Sequence, residues 1–123
     1  MSDEFLKAAR REIRDELSEI ENIFTKCFSD KHIQENATDM ESHVHKIKGL
    51  APMMDYDSLG SLANIVDLIL KHINKKGVFP ESYSILLDAF QKMKTLFDEG
   101  DKSVDISDFV NMTKKKIADI TKS

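Results

Sequence analysis

The stretch His43-Val44-His45-Lys46-Ile47-Lys48-Gly49-Leu50-Ala51-Pro52-Met53-Met54 gathers reactive side chains into an otherwise apolar-patterned segment. A histidine near its ordinary pKa of about 6.5 is largely neutral at neutral pH, so one ring nitrogen is free to act as a nucleophile. On a helix, Lys48 and Gly49 lie three and four positions beyond His45, on its own side, and Glu41 lies one turn before it. A lysine so placed offsets the charge of a phosphoryl group carried by the imidazole. A glycine costs a helix up to about 1 kcal/mol relative to alanine. In return it leaves bare surface beside His45, where a partner backbone or a phosphoryl group can come close. Pro52 has no backbone N–H and its ring crowds the carbonyl of Lys48, so a bend is expected just after this turn.

A nucleophilic imidazole works best when a carboxylate holds its other N–H, fixing the tautomer and raising the basicity of the attacking nitrogen. Asp67 is the candidate. Asn64, Asp67 and Lys71 share one polar side of a later amphipathic segment, and Asp67 lies nearest its apolar stripe. A hairpin through Asp55 to Ser58 would turn the Asp67 edge toward His45. His43 and His45 point about 160° apart on a helix and cannot share a metal ion. His43, His32 and His72 have no partners at meaningful spacing and are expected as surface or boundary residues. Plainer readings stand beside these: His45 as a surface histidine, Lys48 as a solvated flank, and Asp67 paired only with Lys71 at i+4.

Five amphipathic segments must position these groups, and helical periodicity meets no competing strand-like alternation. Phe5, Ala9, Ile13, Leu17, Ile20, Phe24 and Cys27 form the first apolar stripe, over about seven turns, and Ser29-Asp30-Lys31 marks a break. The second stripe is Ala37, Met40, Val44, Ile47, Ala51 and Met54. Asp55-Tyr56-Asp57-Ser58 supplies turn and N-cap chemistry before the third, Leu59, Leu62, Val66, Ile69, Leu70 and Ile73, which closes at Asn74-Lys75-Lys76-Gly77. Pro80 is expected in the first turn of a fourth helix with stripe Leu86, Ala89, Phe90, Met93, Leu96 and Phe97. After an acidic loop from Asp98 to Lys102, a fifth helix is expected from near Asp105, burying Ile106, Phe109, Val110, Thr113, Ile117 and Ile120. Short connections between long helices favour antiparallel neighbours. The expectation is one all-α domain over residues 1–123, an up-down antiparallel four-helix bundle with an additional fifth C-terminal helix.

Composition narrows the function classes. A chain of 123 residues with 41% apolar and 33% charged residues buries a real core, and a net charge of −4 argues against nucleic acid or an anionic membrane as main partner. Lys114-Lys115-Lys116 reads as a solvated helix face. Cys27 is the one cysteine, which excludes an internal disulfide and suits core packing. Met1-Ser2-Asp3-Glu4 leads straight into a charged amphipathic segment, and no apolar run reaches the roughly 20 residues of a membrane span, so the cytosol is the expected compartment. The methionines fall mostly on or near apolar stripes and read as core filler.

His45-Lys46-Ile47-Lys48-Gly49 resembles the His-x-x-Lys-Gly signature of histidine-containing phosphotransfer (HPt) domains. The likeness covers essentially the whole chain, fifth helix included, and is greatest to the amino-terminal phosphotransfer domain of CheA-type chemotaxis kinases. It implies that His45 is the phospho-acceptor, Lys48 its electrostatic partner and Gly49 the clearance position. A kinase ATP-binding domain, in the same protein or another, would donate the phosphoryl group, and the aspartate of a response-regulator receiver domain would accept it. The CheA-type pattern also has a histidine and a glutamate on the third helix, at the positions of Asn64 and Asp67 here. Asp67 keeps the carboxylate one methylene shorter, so its bond to His45 is expected to be longer or water-bridged. Asn64 keeps a possible hydrogen bond without proton transfer. Pro52 departs from the small residues expected after the motif.

The chain has no Gly-x-x-x-x-Gly-Lys-Ser/Thr loop and no evident cluster of metal-binding carboxylates. The expectation is therefore a relay that binds no cofactor of its own, is not an autonomous enzyme, and relies on a partner kinase for ATP and magnesium. Nothing in the sequence demands more than a monomer. The alternatives are a non-phosphorylated helical adaptor that docks receiver or kinase domains, and a small-molecule sensor bundle.

Overall fold

The structure, a computed structural model, describes residues 2–122. Helix α1 spans Asp3–Phe24, α2 Asp30–Leu50, α3 Asp57–Lys76, α4 Ser82–Glu99 and α5 Ser107–Thr121, with a 3₁₀ turn at Pro52–Met54. There is no strand among the described residues. Helix α2 packs on α1 and α3, and α3 also packs on α4 and α5. The apolar stripes meet in one core that includes Ile13, Ile20, Ile33, Met40, Ile47, Leu62, Ile69, Leu86 and Leu96. Among the described residues no helix is long and apolar enough to cross a membrane.

Local chemistry explains most helix ends. The Oγ of Ser2 accepts a hydrogen bond from the Phe5 N–H, with Asp3 and Glu4 in the first turn, where the helix dipole favours anions. Helix α1 stops at Phe24, short of the expected Cys27. Lys26 N–H and Cys27 N–H bond back to the carbonyls of Ile23 and Phe24, so the chain tightens into turns that still bury Cys27. What the sequence presents as a break, Ser29-Asp30-Lys31, is the start of α2: Ser29 is its N-cap, and His32 Nδ1 accepts from the Phe28 N–H at 2.9 Å. At the end of α3, Gly77 adopts φ 91, a conformation that side chains resist, and its N–H reaches the carbonyl of Ile73 at 2.8 Å.

Two helix starts depend on remote aspartates. Pro80 lies outside α4, not in its first turn, because Glu81 takes a left-handed φ of 72 and the helix begins at Ser82. The free N–H groups of Glu81 and Tyr83 are instead bound by the Asp30 carboxylate at 3.2 and 2.7 Å. At α3, the N-cap chemistry expected of Asp55 to Ser58 comes from Asp101, whose carboxylate accepts from the Ser58 and Leu59 N–H groups at 2.8 and 2.9 Å. Helix α5 starts at Ser107, where the Asp105 carboxylate accepts from both the backbone N–H and the hydroxyl of Ser107.

Pro52 acquires a fold role. It ends α2 at Leu50, opens the 3₁₀ turn, and precedes Asp55, which reverses the chain with a left-handed φ of 60. Its ring lies on Gly60 of α3: a Cβ there would stand 3.0 Å from Pro52 Cγ. The glycine lets the proline ring seat directly on the α3 backbone, and this contact closes the α2–α3 hairpin. Arg10 of α1 covers the same end, donating to the Tyr56 hydroxyl and stacking 4.9 Å over the Phe97 ring.

Candidate functional site

The α2–α3 contact brings His45, Lys48 and Asp67 together. Val44 and Ile47 enter the core, which turns His45 onto the flank facing α3, with its side chain 61% exposed. Asp67, between Val66 and the core residues Ile69 and Leu70, is fully buried. Its Oδ2 accepts hydrogen bonds from Lys71 Nζ at 2.9 Å and Lys48 Nζ at 3.2 Å. His45 Nδ1 stands 3.6 Å from that same oxygen, near it but beyond hydrogen-bond reach, so Nε2 on the far side of the ring is turned away from Asp67. Asp67 Oδ1 is buried without a hydrogen-bond partner.

The electrostatics follow from this packing. Burial works to raise the Asp67 carboxyl, but the hydrogen bonds and charges of Lys71 and Lys48 outweigh it and hold the group below its ordinary value, ionised at neutral pH. The same contact raises Lys71. Both lysines keep much of their side chains in solvent, which screens the pairs.

The space above Gly49 is open, with nothing within 4 Å of where a Cβ would be, so bare surface does adjoin His45. Asn64 is only half-buried and makes no side-chain hydrogen bond among the described residues; its expected link to the site is not formed. Although the sequence shows no metal-ligand cluster, the fold brings donor atoms of Glu41, His45 and Asp67 within 4.8 Å of one another. The ammonium groups of Lys71 and Lys48 already bind the Asp67 corner of that cluster. A divalent ion on that oxygen would sit beside two positive charges, which disfavours it there.

The second histidine corrects the expectation that it has no partner. His43 Nδ1 lies 2.6 Å from Glu16 Oε2 of α1, and Nε2 lies 3.4 Å from Asp39. Lys46 adds a contact to Glu16 at 3.4 Å. Burial works to raise the Glu16 carboxyl, but the hydrogen bond and charge of His43, with help from Lys46, hold it below its ordinary value. Sequence reasoning missed this pair, although Glu16 follows Ile13 by three positions and precedes Ile20 by four, inside the apolar rhythm of α1. His43 stands likewise between Met40 and Ile47.

Compared with family models, curated proteins and solved structures, the chain finds no match.

Proposed function

We propose that this chain is a histidine phosphotransfer domain of a two-component or chemotaxis signalling system, with His45 as phospho-acceptor. The observation that carries the reading is the exposed His45 imidazole, its Nδ1 directed at a buried, ionised carboxylate that Lys48 also binds, with open surface above Gly49 on the same helix flank. Neutral His45, protonated on Nδ1, attacks the γ-phosphorus of ATP through Nε2. The P–N bond forms as the bond to the ADP oxygen breaks, and the positive charge left on the ring is balanced by Asp67 across Nδ1–H. Lys48 swings from Asp67 to the incoming phosphoryl oxygens. Attack by a receiver aspartate then breaks the P–N bond, forms an acyl phosphate and returns neutral imidazole.

In this reading the helices form an up-down antiparallel four-helix bundle with α5 packed alongside; the neighbour order α1–α2–α3–α4 and the short connections support it. The kinase domain supplies ATP and magnesium, the receiver domain takes the product, and the domain works as a cytosolic monomer. The test is incubation with ATP and a CheA-type kinase core, followed by assay of acid-labile phosphate. Label on the wild type and none on His45→Gln is the expected result. Equal label on both, or none on the wild type, defeats the reading and favours an adaptor that uses the helices only for docking.

A further inference from the structure

We propose that Lys71 is a positioning residue that restrains His45 by competing with its imidazole for the Asp67 carboxylate. This inference rests on the phosphotransfer reading for its consequence, while its geometry stands apart from it. One oxygen, Asp67 Oδ2, faces three groups: Lys71 at 2.9 Å, Lys48 at 3.2 Å and His45 Nδ1 at 3.6 Å. The other oxygen, Asp67 Oδ1, is buried with no hydrogen-bond partner, so the imidazole does not bond to it either. The two ammonium groups hold the shared oxygen, and the imidazole is left just out of reach.

The lysines differ in what frees them. Lys48 shares the flank of α2 with His45 and can follow a phosphoryl group arriving at Nε2. Lys71 sits one turn beyond Asp67 on α3, tied to it at i+4, and stays with the carboxylate. The charged groups facing His45 are Glu41 and Lys48 from α2, and Asp67 and Lys71 from α3. Glu16 and Lys46 pair at the α1–α2 contact. Attack through Nε2 leaves positive charge on the ring, which is best balanced when Nδ1–H reaches Oδ2. Lys71 weakens that bond by neutralising its acceptor. Its side chain is 44% exposed, so solvent screens the pair and the restraint is partial.

The experiment is an NMR titration of the His45 ring in the full chain, for wild type, Lys71→Met and Lys71→Arg, with label uptake from the kinase core measured alongside. Met keeps the apolar stem without the charge, and Arg keeps the pairing. The expected result is a His45 midpoint about half a pH unit higher in K71M, unmoved in K71R. Label uptake in K71M rises about threefold above that midpoint. Repeating K71M on an Asp67→Asn background removes the shift, because the acceptor under competition is gone. An unmoved midpoint in K71M overturns the proposal, as does a shift that persists with D67N, which marks simple charge repulsion. Slower labelling in K71M also overturns it, since Lys71 would then serve the phosphoryl group. If even the wild type takes no label, phosphotransfer fails while the titration still decides the competition.

Discussion

His43 and His45 stand two residues apart on α2, yet the fold gives them opposite surroundings. His43 points to α1, with its side chain 16% exposed and in short contact with buried Glu16. His45 points to α3, largely in solvent, and stops short of a buried carboxylate that two lysines already occupy. Both sites pair an imidazole with a carboxylate withdrawn from water. The difference lies in which group satisfies the carboxylate. Glu16 takes the imidazole itself, which ties α1 to α2. Asp67 takes ammonium groups, which leaves the imidazole unbonded and accessible. The two imidazoles are thus separated by the competition around each carboxylate.

The sharpest way to break this comparison is to exchange the two rings' fates. His45→Gln is expected to abolish acid-labile labelling, whereas His43→Gln keeps it; loss of label in H43Q with the fold intact would reverse the assignment. Next in size is stability. Glu16→Ala removes the carboxylate from a buried cluster and is expected to cost about 2 kcal/mol in urea unfolding. Asp67→Asn is expected to cost about 1 kcal/mol, because its lysine partners are partly solvated and can return to water.

Acid titration tests both carboxylates together. Their folded-state values lie below the ordinary carboxylate range. Each therefore contributes stability that is fully present above the unfolded value, near pH 4, and is lost as pH falls through the depressed folded value. Unfolding measured between about pH 5 and 2 should show this loss, and either E16Q or D67N should flatten it. The smallest expected effect concerns the hairpin that aligns the two helices. Gly60→Ala pushes a methyl against the Pro52 ring and is expected to cost about 0.5 kcal/mol after its gain in helix propensity. On a Pro52→Ala background the same change should become neutral or stabilising, as read by thermal melts.

Much of the fold was legible because helix periodicity is a local property. Ile13, Met40, Ile47, Leu62 and Leu96 follow from spacing alone and are buried as that spacing requires. The start of α4 and the true cap of α3 were not legible, since Asp30 and Asp101 act on N–H groups 42 to 53 residues away. The packing role of Pro52 was not legible either, since Gly60 beneath its ring lies on the next helix. The convergence of His45, Lys48 and Asp67 could be anticipated from helix faces and a hairpin turn. Lys71 was visible only as an ordinary i+4 partner, because sequence spacing does not show that one oxygen must serve three groups.

By itself the sequence determined five amphipathic helices, the burial of their stripes, and the turn that carries His45, Lys48 and Gly49 on one side. Only the tertiary structure decided which carboxylate each histidine meets, how deeply that carboxylate is buried, and which cations reach it first. The reason is physical: periodicity is set by bonds within a few residues, whereas desolvation and competition for an acceptor arise only when helices close on one another.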